Sequence, residues 1–415
     1  MVLWELFKGL ELNFTPTLER IRKACAEAGN PQNEYPSIIV GGTNGKGSTT
    51  AFLESLFRHH GLRTGRFVSP HLVDETERWR INGEPITEET LRRFVERLKP
   101  LMEKHRLTYF ESAVLIAAHL FKEERVQVAV IEAGLGGRWD ASKVHDPLLT
   151  AITNVGLDHT KWLGDTLEKI ADDKTELILP GRPAVLGTDE EPLLSIALKK
   201  AAKRNSPLVV ANRDYRFEGF VRFPETVLTR YSYGSFEFFD LPLGLFGRKQ
   251  LQNAALALTI FLETAERLGI KPDPEKVKEA LKNARWEGRF EVVRQRPLLV
   301  LDGAHNLHAL KATLEDLSTL PRFPFVVFAS MRDKDWRDQL KLIRRYSDRI
   351  GLVKVNYHRA EELENLASFA RSLDFREVRT YESVGEALSD LRNEDAVFLG
   401  SLYLVGEVKR ALREG

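Results

Sequence analysis

The chain has 415 residues, 43% hydrophobic and 29% charged, with 61 Lys+Arg against 60 Asp+Glu. This balance excludes disordered and collagen-like classes, and at about 100–200 residues per domain the length favours two or three domains over one. A net charge of +1 excludes a broad cationic field that would draw in nucleic acid or an anionic membrane, so any phosphate binding must come from a local site.

The N-terminal stretch Met1–Lys8 mixes charge into its apolar residues too early for a signal-peptide core, and no run of 18 apolar residues follows. A cytoplasmic protein with no membrane and no nucleic-acid partner is expected. The single cysteine, Cys25, falls in a predicted helix around residues 21–26 and reads as a small core residue. Short β-branched runs at 37–40, 126–131 and 148–154 alternate with helical patterns at 48–60, 87–105, 111–124 and 166–179. Alternation of this kind predicts βαβ units and a mostly parallel sheet. From about 215 to 246 the texture becomes aromatic, β-branched and charged in turn, which predicts a small antiparallel sheet. Helices follow at 250–268 and 274–283, then a second βα alternation with strands at 297–301, 325–328, 351–355 and 396–399. The expected fold is therefore α/β in two parts, 1–290 and 297–415, with the boundary near 290–296.

Directly after the first strong strand comes Gly41-Gly42-Thr43-Asn44-Gly45-Lys46-Gly47-Ser48 and then a helix. Glycines let backbone N–H groups turn toward an anion, the helix N-terminus adds partial positive charge, and a lysine there reaches terminal phosphates. The loop departs from the general G-x-x-x-x-G-K-[ST] form, because Gly47 stands between Lys46 and Ser48. By itself it is compatible with a kinase, a nucleotide switch or an ATP-driven ligase.

The spelling from Gly42 to Ser48 resembles the phosphate loop of the Mur ligase superfamily, specifically the folylpolyglutamate synthase and dihydrofolate synthase family. Matching blocks follow in that family's order at 68–72 (VSPHL), 108–111 (TYFE), 132–141 (EAGLGGRWDA), 153–159 (TNVGLDH), 170–174 (IADDK), 252–255 (QNAA), 286–290 (WEGRF) and 301–306 (LDGAHN). The resemblance runs from about residue 10 to the C-terminus. It implies a P-loop-containing, Mur-ligase-like N-terminal domain and a smaller Rossmann-like C-terminal domain that binds glutamate.

It also implies roles. Thr43, Asn44, Gly45, Lys46, Gly47 and Ser48 would bind ATP together with Asn253, Arg289 and Asp302. Ser69 and Glu132 would be metal ligands, with His159 joining Glu132 at a second Mg²⁺. Lys46, Lys174 and His159 would be catalytic, Lys174 as a CO₂-modified carboxylysine. Thr108, Tyr109, Phe110, Glu111, Trp139, Asp140 and Ala141 would face the folate or pteroate, and His305 and Ser401 the glutamate. Each has an ordinary alternative: Glu132 as a strand-end carboxylate pairing with Arg138, His159 as a structural imidazole, Lys174 as an exposed helical lysine, and the aromatics as core. ATP would be sandwiched between the domains.

The implied reaction is ATP-dependent addition of L-glutamate to folates and, because the 108–111 block resembles bifunctional members, to dihydropteroate as well. A cell-wall Mur-type amino-acid ligase and a nucleotide switch that ligates nothing are the competing readings. A monomer is expected.

Overall fold

The computed structural model describes residues 2–7 and 16–414; Met1 and Lys8 of the N-terminal stretch lie outside them. The chain divides into two compact units, the first made of Met1–Gly219, Val227–Gly244 and Leu251–Arg285, the second of Phe220–Thr226, Leu245–Gln250 and Trp286–Gly415. The second unit thus takes in two short segments that a single division at 290–297 assigns to the first.

In the first unit eight strands form one sheet: β1 Ser37–Gly41, β2 Thr64–Phe67, β3 Trp79–Ile81, β4 Glu84–Pro85, β5 Val128–Glu132, β6 Leu149–Ile152, β7 Ala184–Leu186 and β8 Leu208–Val210. Their order is β4-β3-β2-β5-β1-β6-β7-β8. Six strands from β2 to β8 run parallel, while β3 and β4 add an antiparallel edge. The continuous apolar spelling of β1 and β5 is explained by burial on both faces, as parallel strands covered by helices require.

The covering helices begin where side chains can satisfy their first N–H groups. Thr87 accepts from Thr90 N at 3.1 Å to start helix Glu88–Lys104, and Thr108 accepts from Glu111 N at 3.3 Å to start helix Tyr109–Glu123. The latter is buried almost all round, from Ala113 to Ala118, and fills the centre of one core with Phe67, Trp79, Phe94 and Phe121. Cys25 belongs to that core, and burial pushes its thiol up to about 12, as suits a packing residue.

Three further strands, β9 Tyr215–Arg222, β10 Glu225–Tyr233 and β11 Phe236–Pro242, form the small sheet, in the order β11-β10-β9 with β10 and β11 antiparallel. The second unit has a six-stranded sheet of β12 Glu291–Gln295, β13 Leu298–Asp302, β14 Phe325–Phe328, β15 Arg349–Val353, β16 Glu377–Tyr381 and β17 Ala396–Leu399. Its order is β12-β13-β17-β14-β15-β16, all parallel except β12. Among the described residues no helix is long and apolar enough to cross a membrane.

Ile39 is fully buried in β1, between β5 and β6. Ile39→Ala should lower the stability of the first unit by about 2–5 kcal/mol, read from its urea unfolding transition; a loss below about 1 kcal/mol would contradict a close-packed central strand.

Candidate active site

Because β5, β1 and β6 are adjacent and parallel, the segments leaving their C-terminal ends share one edge of the sheet, where open α/β sheets collect ligands. From β1 comes the glycine loop, followed by helix Lys46–His59. Gly42 and Gly45 adopt positive φ, +135° and +85°, which L side chains rarely adopt. A Cβ at Gly42 would collide with Thr153, and one at Gly45 with the carboxamide of Asn253, which lies buried on helix Arg248–Ala265. Asn253 is therefore packed against the end of the phosphate loop, where the helix begins.

Lys46 turns back on its own loop, donating from Nζ to the carbonyls of Gly42 and Thr43, each at 3.2 Å. Lys174 is not an exposed helical lysine. It ends helix Leu167–Lys174, is buried, and donates from Nζ to the same Gly42 carbonyl at 2.9 Å. Burial, and then the neighbouring charge of Lys46, push its pKa down to about 7, against the opposing pull of Asp173, Asp158 and Asp140. The result is a buried lysine with a large neutral-amine fraction at neutral pH.

Glu132 closes β5, is 4% exposed, and accepts the Ser69 backbone N–H through Oε2 at 3.2 Å. Arg138 pairs elsewhere, with Asp172 at 2.6 Å and Glu176 at 3.8 Å. Ser69 and Glu132 are thus adjacent, and their hydroxyl and carboxylate are the hard oxygens that Mg²⁺ takes up alongside phosphate and water. His159 sits at φ 52°, its ring half exposed and its Nε2 4.0 Å from Asp158 Oδ2. Among the described residues no three His, Cys, Asp or Glu side chains group closely enough to hold a metal by themselves. The residues present fit a cation whose coordination is completed by phosphates, rather than a closed protein cage.

In the second unit, Asp302 ends β13 with both carboxylate oxygens engaged: Oδ2 accepts Phe290 N at 2.7 Å, and Oδ1 accepts Ala304 N at 2.8 Å and the Thr313 hydroxyl at 3.0 Å. Arg289 precedes that turn and donates to the Gly288 carbonyl at 3.2 Å, beside Gly303. His305 Nδ1 lies 2.8 Å from the Gly303 carbonyl oxygen, and Ser401, buried, accepts Tyr403 N at 3.1 Å at the start of helix Leu402–Glu414. Arg289, Asp302, His305 and Ser401 all follow the carboxyl ends of β13 and β17 or adjoin them.

Two family models match the chain, the Mur ligase middle domain over residues 40–261 and the Mur ligase glutamate ligase domain over 288–401. A Bacillus subtilis dihydrofolate synthase/folylpolyglutamate synthase is 30% identical over 97% of this chain and 96% of its own length. The chain belongs to the folylpolyglutamate synthase/dihydrofolate synthase family of Mur ligases. A Haloferax volcanii relative, named a probable bifunctional folylpolyglutamate synthase/dihydropteroate synthase, is 32% identical over 97% of the chain, which spans about half (49%) of that relative's length. Among solved structures, Escherichia coli FolC in complex with DHPP and ADP superposes with a TM-score of 0.86 at 27% identity, covering 99% of this chain and 97% of that one.

For a member of this family, the 108–111 block proves to have a local job. Thr108 and Glu111 form a reciprocal capping box, Glu111 Oε2 accepting the Thr108 N–H at 2.8 Å, and Arg20 pairs with Glu111 at 3.1 Å. Tyr109 donates to Glu75 at 2.7 Å beneath Trp4 and Phe7, and Phe110 packs on Phe67 and Gly134. Asp140 is buried with Oδ2 accepting Leu135 N at 2.8 Å and Oδ1 accepting Ser142 N at 2.9 Å; burial raises its pKa against those bonds. Ala141 is buried and Trp139 is 43% exposed. Thr153, Asn154 and Asp173 all stand inside matched blocks, but nothing in their spelling marks a role for them. Asp173 Oδ1 accepts the Gly137 N–H at 2.8 Å and ties the glycine turn after Glu132 to the segment bearing Lys174.

Between the folded pKa of Lys174, about 7, and the ordinary 10.5, the unfolded chain binds the extra proton, so this group makes stability rise with pH across that window. The unfolding free energy of wild type minus Lys174→Met should climb from pH 7 to 10.5; a flat difference would show that Lys174 titrates normally.

Proposed function

We propose that the protein is an ATP-dependent ligase that adds L-glutamate to folates, and also to dihydropteroate, through an acyl phosphate. The observation that carries this reading is the convergence of Lys46 and Lys174 on the Gly42 carbonyl, on the same sheet edge as Glu132, in a chain of this family. The ADP and DHPP held by the Escherichia coli FolC structure support nucleotide and pterin-type substrates.

In this reading Thr43 to Ser48, Asn253, Arg289 and Asp302 bind ATP, with Arg289 offering a permanently charged fork to phosphate oxygens. The pteroate carboxylate attacks the γ-phosphorus, releasing ADP and leaving an acyl phosphate. The amine of glutamate, bound with His305 and Ser401, attacks the acyl carbon and expels phosphate while losing a proton. Lys46 leaves its internal carbonyls for the transferring phosphoryl oxygens, where a preorganised cation stabilises developing charge. Ser69 and Glu132 would hold Mg²⁺, with His159 beside a second ion, and the metal would neutralise phosphate charge. Thr108 to Glu111 and Trp139 to Ala141 border the pteroate site in this proposal, the exposed Trp139 ring offering a stacking face.

Lys174 is suited to carbamylation because the neutral amine is the nucleophile: its nitrogen adds to CO₂ and loses a proton, which turns a cation near the phosphate loop into an oxygen donor. The ligase domain from about residue 297 as the glutamate-binding part, the cytoplasmic location and the monomeric state belong to the same proposal.

ADP release from Mg·ATP should require both L-glutamate and a folate or dihydropteroate, and Lys46→Ala should lower kcat about 100-fold or more; release indifferent to the two co-substrates would point to a nucleotide switch instead. With ¹³C-bicarbonate near pH 7.5, wild type should show a carbamate carbon resonance that Lys174→Met lacks. An unmodified Lys174 under those conditions, with nucleotide bound, would rule the modification out.

A further inference from the structure

We infer that Thr153 and Asn154 are positioning residues that hold the phosphate loop in its anion-binding shape, an inference that rests on the ATP-binding part of the reading above. Both follow β6 directly and are buried, at 2% and 8% exposure. The Asn154 carboxamide grips the Asn44 peptide from both sides: its Oδ1 accepts the Asn44 N–H at 3.0 Å, and its Nδ2 donates to the Asn44 carbonyl at 3.1 Å. The Thr153 hydroxyl donates to that same carbonyl at 2.7 Å. One residue earlier in the loop, Thr43 N donates to the Asn154 carbonyl at 3.0 Å, and the Thr43 hydroxyl accepts the Gly156 N–H at 3.0 Å.

The loop crosses from β1 to helix Lys46–His59 through two residues of positive φ, Gly42 and Gly45, and glycine gives such a segment freedom to collapse when no anion is present. Between those glycines, Thr43 and Asn44 are the only residues with side chains, and both are pinned to the segment that leaves the strand next door. The pinning engages the Thr43 N–H and both the N–H and the carbonyl of Asn44, and so fixes where the first helical turn, with its N–H groups unmatched by any earlier turn, is presented to the phosphates. Thr153 also touches the space a Cβ at Gly42 would need, so the same side chain sets both the entry glycine and the Asn44 peptide. A carboxamide is required at 154 because one group must donate while the other accepts. An aspartate of the same shape could still accept from Asn44 N, but would oppose the Asn44 carbonyl with a second acceptor and place negative charge beside the loop.

The test uses direct ATP binding to the full chain by calorimetry, together with steady-state ligation. Asn154→Asp should weaken ATP binding about 10-fold or more and raise KM for ATP by a similar factor, leaving KM for glutamate within about two-fold. Thr153→Val should weaken ATP binding about 3–10-fold, one neutral hydrogen bond's worth, while Thr153→Ser, which keeps the donor, stays within about two-fold of wild type. Melting temperatures establish that each variant is folded. If Asn154→Asp fails to fold, the Thr153 pair decides. Folded variants that bind ATP as wild type does overturn the positioning role whatever their stability. Wild type that binds ATP tightly but ligates nothing would overturn the ligase reading, with the variant series still deciding this one; wild type that binds no ATP would overturn both.

Discussion

Parallel strands that lie side by side must deliver their following segments to one edge, and the chemistry of this protein depends on that constraint. β5, β1 and β6 are neighbours in the first sheet although more than a hundred residues separate β6 from β1 in the sequence. Their adjacency alone puts the acid Glu132, the glycine loop and the Thr153–His159 segment along one rim. The helix that ends at Lys174 then completes the arrangement by inserting an amine under the loop. That amine and Lys46 share one carbonyl oxygen, and the charge of Lys46 is, after burial, part of what holds Lys174 near its titration point at neutral pH.

Much of this was legible from residue order. Strongly apolar strands such as β1, β5, β13 and β17 announce themselves because a strand buried on both faces leaves no room for polar residues, and the phosphate loop is legible because glycine spacing and the following helix have a direct physical purpose. The strands that escaped notice had the opposite character. β2 reads Thr-Gly-Arg-Phe, and its Arg66 is buried with Glu54 and Glu132 as its favourable charges; a buried guanidinium in a four-residue strand carries no hydrophobic signature. β7 and β8 are three residues long, and β16 lies at a sheet edge with alternating charge, so neither length nor periodicity separates them from loops.

Within the site, spelling exposed which residues matter more readily than what each does. The Thr-x-x-Glu of residues 108–111 has a capping box inside it, visible to anyone who counts three residues forward, and Asp140 spends its oxygens on backbone N–H groups. In the second unit Asp302 spends its own on two backbone N–H groups and the Thr313 hydroxyl. The fate of Lys174 could not be foreseen from its surroundings in sequence, since the acidic residues Asp172 and Asp173 beside it suggest a solvated face. Asp172 indeed turns away, into an ion network with Arg138 and Lys200, while Lys174 turns inward.

The way the chain is shared between its two units has a consequence for how such a protein can be taken apart. The backbone passes from one unit to the other five times, and Phe246, from one of the short returning segments, stands 4.5 Å from Phe290 in the core of the second unit, with Phe223 from the other packed beside it. A single cut before Trp286 therefore yields a C-terminal piece with a gap in its core and an N-terminal piece in which Phe223 and Phe246 keep each other but lose Phe290 and the rest of that core. Exchange of the second unit between relatives would have to carry residues 220–226 and 245–250 along with it, so a graft at one junction is not enough.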